Sequence, residues 1–250
     1  MYLKTAYLTI DDGPSKDMKK KVDFLISKGI SAVWFCRGDL LEQRPHYADY
    51  AIKNRFIISN HSYSHPYFSD LTLRQCYEEI ERTDTIIEYI YQKAAVKRPA
   101  KFFRFPYGDK GGLRYAEVFE PYQGEGKIRK DGIQEFLRRL GCRQPRFMGI
   151  TYEYYLNAGL LDDVDWHWTY DVMEYAIFEE EHMFGIDSLE KVFERMDEDV
   201  PEGCRGLNFS GSEDIILIHD HPESSHLFEP IVERLLAKGI QFSLPEFDHE

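Results

Sequence analysis

Two adjacent carboxylates, Asp11 and Asp12, stand where an apolar run from Tyr2 to Ile10 gives way to Gly13-Pro14. A buried strand that stops at two acids places them at the edge of a sheet. Side chains leave a strand on alternate faces, so both acids can serve one site only if the backbone bends, and Gly13-Pro14 supplies the expected bend. Neighbouring carboxylates raise each other's pKa and need a cation or a paired arginine. The sequence holds candidates for both. His61 and His65 lie four apart in Asn-His-Ser-Tyr-Ser-His, which puts the imidazoles on one face if the segment is helical, within reach of one metal ion. With a strand-end carboxylate they form a three-ligand set for a divalent ion, leaving positions for water and substrate as catalytic sites do. Arg104 ends the apolar run Phe102-Phe103, and a cation there needs a carboxylate, for which the Asp11-Asp12 pair is the obvious partner. Asp165 precedes Trp166, and His219 ends the very apolar Ile215–Ile218. Hydrolysis of an amide needs a Lewis acid at the carbonyl, a base for water and an acid for the departing amine. One candidate for each is present.

Strands alternating with helices must carry these residues. Helical spacing of Met18, Val22, Leu25 and Ile26 follows the Asp-Asp turn, with Ser15 as the expected N-cap and Gly29 as the stop. Further strands are expected at 30–36, 56–59, 102–104, 147–151, 214–218 and 239–244. Helices are expected at 39–52 with an interruption at Pro45, and at 72–93, 131–140, 187–196 and 226–238. This alternation predicts an α/β fold with a parallel sheet and right-handed crossovers. In a parallel α/β barrel the strand ends carrying Asp11, Asp12, His61, Arg104, Asp165 and His219 share one face, where active sites are built. The stretch from Asp109 to about Gly132 is a long Gly-rich polar loop.

Bulk properties narrow the function. The chain has 250 residues and a formal charge of −13, from 31 Lys+Arg against 44 Asp+Glu, which argues against a polyanion as main partner. Cys36, Cys76, Cys142 and Cys204 are far apart with no Cys-x-x-Cys, and reduced thiols are expected. No run reaches the ~18 apolar residues of a membrane span and no signal peptide is visible, so a cytoplasmic protein of one domain over 1–250 is expected.

Thr-Ile-Asp-Asp-Gly-Pro-Ser, Asn-His-Ser-Tyr-Ser-His, Arg-Phe-Pro-Tyr-Gly, Asp-Asp-Val-Asp-Trp and Leu-Ile-His resemble, in order, the five motifs of the NodB-type polysaccharide deacetylases, carbohydrate esterase family 4. The resemblance runs from Leu8 to His219, with Ile10 where the family usually has Phe. It implies a deformed (β/α) barrel that hydrolyses an acetyl amide or ester on a sugar with a bound divalent metal, zinc being the expected ion. Asp12, His61 and His65 would be the metal ligands and Asp11 the general base, oriented by Arg104. His219 would be the general acid, tuned by Asp165, with Asp163 and Asp171 as substitutes. Tyr107, Trp166 and Leu217 would contact the substrate, Tyr107 through a backbone that helps stabilise the oxyanion and Leu217 at the acetyl methyl. The expected partner is an acetylated sugar or sugar conjugate. Competing readings are a metal-independent amidohydrolase on the same fold and a catalytically silent carbohydrate-binding protein. Lys127, Arg129, Lys130, Arg138, Arg139, Arg143 and Arg146 make an insertion at about 109–160 basic. If it borders the cleft, it could meet a phosphate on the substrate.

Overall fold

The computed structural model describes residues 4–112, 122–200 and 206–247. The first half alternates regularly: β1 (Lys4–Gly13), α1 (Met18–Ser27), β2 (Ala32–Cys36), α2 (Gly38–Gln43), α3 (Pro45–Lys53), β3 (Ile57–Asn60) and α4 (Leu73–Ala94). The second half runs α5 (Gly124–Arg139), α6 (Glu153–Asn157), β4 (Tyr170–Asp171), α7 (Leu189–Met196), β5 (Asp214–His219), α8 (Phe228–Ala237) and β6 (Ile240–Phe242). The strands lie in the order β3-β2-β1-β5-β4, β6 pairs with the start of β1, and every pairing is parallel.

Parallel strands covered on both faces read as continuous apolar runs, which is why no strict alternation is visible in the sequence. The two faces still separate by parity. Ala6, Leu8 and Ile10 of β1, Trp34 of β2 and Ile216 and Ile218 of β5 pack outward into a core shared with α1, α3, α7 and α8. Tyr7, Val33, Phe35, Ile57 and Ile215 point the other way, into an interior filled by Phe102, Phe147 and Trp166. Helices outside a parallel sheet and large side chains filling its inside make the deformed (β/α) barrel. Among the described residues, no helix is long and apolar enough to cross a membrane. Cys36, Cys76 and Cys142 are buried free thiols, and Cys204 lies outside the described residues.

Local rules account for most boundaries. Pro45 begins α3 at a position where its missing N–H costs nothing, separating α2 from α3. Thr72 and Gln75 form a reciprocal capping box at the start of α4, their bonds 3.3 and 2.9 Å long. Ser15 is not the cap of α1, a place taken by Asp17. Instead its N–H and hydroxyl donate to Asp220, both at 2.7 Å, and Asp220 also pairs with buried Lys21 at 2.6 Å. Phe102–Arg104 and 147–151 are not strands. Phe103 makes only a bridge to Asn60, while the second segment is preceded by a bridge between Arg146 and Glu246. Both segments plug the interior through their aromatic rings rather than extending the sheet. The basic helix starts at Gly124, earlier than the expected 131, so the loop from 109 is shorter than expected, and its residues 113–121 lie outside the described residues.

Candidate active site

Asp11 keeps the inward direction that its parity with Thr9 dictates. Arg104, fully buried, donates through Nη1 to both Thr9 Oγ1 (2.8 Å) and Asp11 Oδ1 (2.9 Å), and through Nε to the carbonyl of Trp166 (3.0 Å). A regular strand would send Asp12 outward. It has φ 65°, and the register against β2 skips from Asp11 opposite Phe35 to Gly13 opposite Cys36. This bulge turns Asp12 back to the side of Asp11. The bend is therefore at Asp12 itself rather than at Gly13-Pro14. Gly13 matters for space, since a Cβ there would lie 3.1 Å from Asp220 Oδ2 and 3.3 Å from the Trp34 ring.

His61 and His65 meet in a loop and not on a helix face. Ser62 and His65 have φ of 63° and 62°, and the rings lie 5.0 Å apart. Glu79 of α4 holds this loop by accepting from the Tyr63 and Ser64 N–H groups at 2.8 and 2.7 Å. His61 Nδ1 donates to the carbonyl of Arg104 at 2.9 Å, which leaves Nε2 as a lone pair facing Asp12. Asp12 Oδ1 is buried without a hydrogen-bond partner, 3.1 Å from His65 Nε2 and 3.7 Å from His61 Nε2. Burial pushes both imidazoles down to about 4, so they stay neutral ligands at ordinary pH. An orphaned carboxylate oxygen facing two neutral imidazole nitrogens fits a divalent cation. The other oxygen, Oδ2, pairs with His221 Nε2 at 2.8 Å. Burial would raise the Asp12 carboxyl, but the His221 bond and the nearby imidazoles outweigh it and hold the group well below the carboxylate range. His221 was visible in the sequence only as part of His219-Asp220-His221-Pro222, and the residue types gave no sign that it would reach back to Asp12.

At the end of β5, His219 sits across from Asp11 in register. Its partner is Glu174: Oε1 accepts from the His219 N–H at 2.5 Å and lies 3.4 Å from Nδ1. Asp171 lies close by, so that its carboxylate, that of Glu174 and the imidazole share one cluster. Burial would lower the imidazole, but the charge and hydrogen bond of Glu174, with Asp171, raise it to about 10. Asp165 does not occupy this place. It accepts from Gln134 at 2.7 Å and pairs with buried Lys110 at 3.2 Å, where Lys110 also meets Asp163 at 2.7 Å. Asp163 and Asp165 thus tie the segment to Lys110 and α5, and of the two substitutes considered only Asp171 reaches His219. Trp166 is fully buried in the barrel interior against Phe35, Phe102 and Phe147, and does not line the cleft.

These groups open into a cleft of about 590 Å³. Asp11, Asp12, His61, His65 and His219 line it, as do Tyr107 and Leu217. Tyr107, itself at φ 57°, is half exposed and stacks on Tyr67 with centroids 4.0 Å apart. The basic residues of 127–146 do not border this cleft. Lys127 pairs with Asp131, Lys130 pairs with Asp163, and Arg129 donates to the carbonyls of Phe68 and Leu71.

The chain resembles known polysaccharide deacetylases in sequence and in fold. The polysaccharide deacetylase family model matches residues 3–117. A bifunctional xylanase/xylan deacetylase of Cellvibrio japonicus is 32% identical over 103 residues, 41% of this chain and 15% of that protein. A peptidoglycan-N-acetylglucosamine deacetylase of Bacillus cereus is 30% identical over 103 residues, 41% of this chain and 36% of that protein. The matches thus span only a minor part of either relative. A family 4 carbohydrate esterase from Streptomyces lividans, solved in complex with acetate, superposes with a TM-score of 0.56 at 19% identity, covering 96% of this chain and 92% of that one. At that identity the likeness concerns the fold. The motif order, the family-model match over residues 3–117 and the shared barrel all give this chain its likeness to the NodB-type polysaccharide deacetylases, carbohydrate esterase family 4.

Proposed function

We propose that the cleft is the active site of a metal-dependent hydrolase that removes an acetyl group, from nitrogen in preference to oxygen, from a carbohydrate or sugar conjugate. The observation that carries this reading is the orphaned Asp12 Oδ1 facing the His61 and His65 nitrogens, beside an Asp11 held by Arg104. The names of the two relatives, acting on xylan and on peptidoglycan, support the same chemistry.

Asp12, His61 and His65 would hold the ion, for which zinc fits two imidazoles and a carboxylate. When bound, it supplies Lewis-acid polarisation of the acetyl carbonyl. Asp11 is the base. Arg104 occupies its Oδ1, while Oδ2 lies 3.6 Å from His61 Nε2 at the cleft. Burial raises its pKa, against the opposing pull of Arg104, and so makes it a stronger acceptor for a proton from water. His219 is the acid: Glu174 keeps it charged, and the proton goes to the leaving nitrogen. An acid held near 10 suits an amine, which departs only after taking up a proton. Leu217 forms an apolar wall for the methyl, and Tyr107 contributes its backbone N–H to the developing oxyanion.

The test is acetate release from chitin oligomers, peptidoglycan fragments and acetylxylan, with metal content measured before and after chelation. Release that stops on metal removal and returns with zinc is expected. Release undiminished in metal-free protein, or none from any of these substrates with the metal bound, overturns the reading.

A further inference from the structure

Between His219 and His221, which both line the cleft, stands Asp220, which does not. It is 1% exposed and lies behind the two imidazoles, against the turn that leads into α1. There its carboxylate collects three donors. Oδ2 accepts from the Ser15 N–H at 2.7 Å, and Oδ1 accepts from the Ser15 hydroxyl at 2.7 Å and from Lys21 Nζ at 2.6 Å. Lys21 is itself buried, with Nζ 5.2 Å from the centre of the Phe228 ring of α8. The backbone closes the link from the other side, since the Asp220 N–H donates to the Asp11 carbonyl at 2.8 Å. Asp220 thus clamps the end of β5 to the Asp11–Ser15 turn before and after Asp12.

Stability alone does not account for this pair. Taking an ammonium and a carboxylate out of water costs about what their attraction returns, and apolar groups of the same volume often serve as well. The turn also gives up a side chain to admit the carboxylate, because a Cβ on Gly13 would lie 3.1 Å from Asp220 Oδ2. What the clamp does fix is the meeting of two chain segments at the next residue. His221 Nε2 reaches Asp12 Oδ2 at 2.8 Å, which turns Oδ1 of the same carboxylate towards His61 and His65. An imidazole on the short turn after β5 keeps that distance only if the turn is held in place.

We propose that Asp220, held by Lys21 and Ser15, is a positioning residue for the metal centre: it sets the turn after β5 so that His221 keeps Asp12 in its ligating orientation. The proposal rests on the reading of Asp12, His61 and His65 as the residues that hold the ion. It adds a control on metal affinity from a group that touches neither ion nor substrate.

Zinc affinity by competition with a chelator, together with urea unfolding of each metal-free protein, tests this on the full chain. Asp220→Asn keeps the volume and removes the charge, and zinc binding at least about tenfold weaker is expected in the folded variant. Ser15→Ala leaves the Lys21–Asp220 pair in place and breaks one bond of the clamp. It gives a smaller loss in the same direction, and decides the matter should Asp220→Asn fail to fold. Because the effect passes through His221, Asp220→Asn introduced into His221→Ala weakens zinc binding little further. Variants that are less stable yet bind zinc as the wild type does would show a merely structural clamp and overturn the proposal. A full additional loss in the His221→Ala background overturns it as well. A wild-type chain that binds no zinc overturns the underlying reading of the three ligands, whereas unchanged affinity in variants of a zinc-binding wild type overturns this proposal alone.

Discussion

Replacing Glu174 with Gln keeps the shape beside His219 and removes the charge. Burial disfavours the imidazolium, and Glu174 overcomes it through its charge and hydrogen bond, holding His219 at about 10. Set against an ordinary value of about 6.5, this is a preference for the charged form of roughly 5 kcal/mol, at 1.36 kcal/mol per pH unit. The folded pKa lies above the unfolded one. The associated stability is therefore fully present below about pH 6.5 and is lost as pH rises towards about 10. In Glu174→Gln the two largest raising contributions are removed while Asp171 and Asp12 remain, so His219 falls back towards its ordinary value and most of this contribution disappears. The wild type should exceed the variant in unfolding free energy by several kcal/mol at pH 6. That gap should shrink by about 1.4 kcal/mol per pH unit above 6.5 and close near pH 10, as read by urea unfolding across pH. NMR titration of the His219 ring gives the same answer directly. A gap that does not change with pH, or a variant in which His219 still titrates near 10, refutes the reasoning.

Two further outcomes follow from the geometry. His221→Ala frees Asp12 Oδ2, and metal affinity measured by competition with a chelator should fall about 10–100-fold while the fold is retained; unchanged affinity would show that the His221 contact does not orient the carboxylate. Trp166→Ala opens the packed interior between Phe35, Phe102 and Phe147 and should cost about 3–5 kcal/mol of stability in denaturant unfolding. A loss below about 1 kcal/mol would mean the ring is not part of the core.

The sequence made the strand-ended acids, the paired histidines and the buried arginine legible because each ends an apolar run, and a parallel barrel collects such ends on one face. It could not reveal that Asp12 takes φ 65°, since a left-handed aspartate leaves no compositional trace and Gly13-Pro14 was the visible breaker. Asp165 and Glu174 were separated by tertiary structure alone. Both are buried acids, and only the placement of Lys110 and Gln134 draws the first away from His219. Phe102–Arg104 and 147–151 have the composition of strands, yet they spend their apolar residues as plugs for the barrel. In those segments burial satisfies the pattern with no more than an isolated bridge to a neighbour, which periodicity alone does not distinguish.

The division of labour between the two acids that open the site is the central claim. Metal stoichiometry and acetate release measured side by side on Asp11→Asn and Asp12→Asn test it most directly. The account predicts that Asp11→Asn retains the metal and loses turnover, whereas Asp12→Asn loses metal affinity and turnover follows. Full metal binding by Asp12→Asn, or turnover by Asp11→Asn at the wild-type rate, would contradict it.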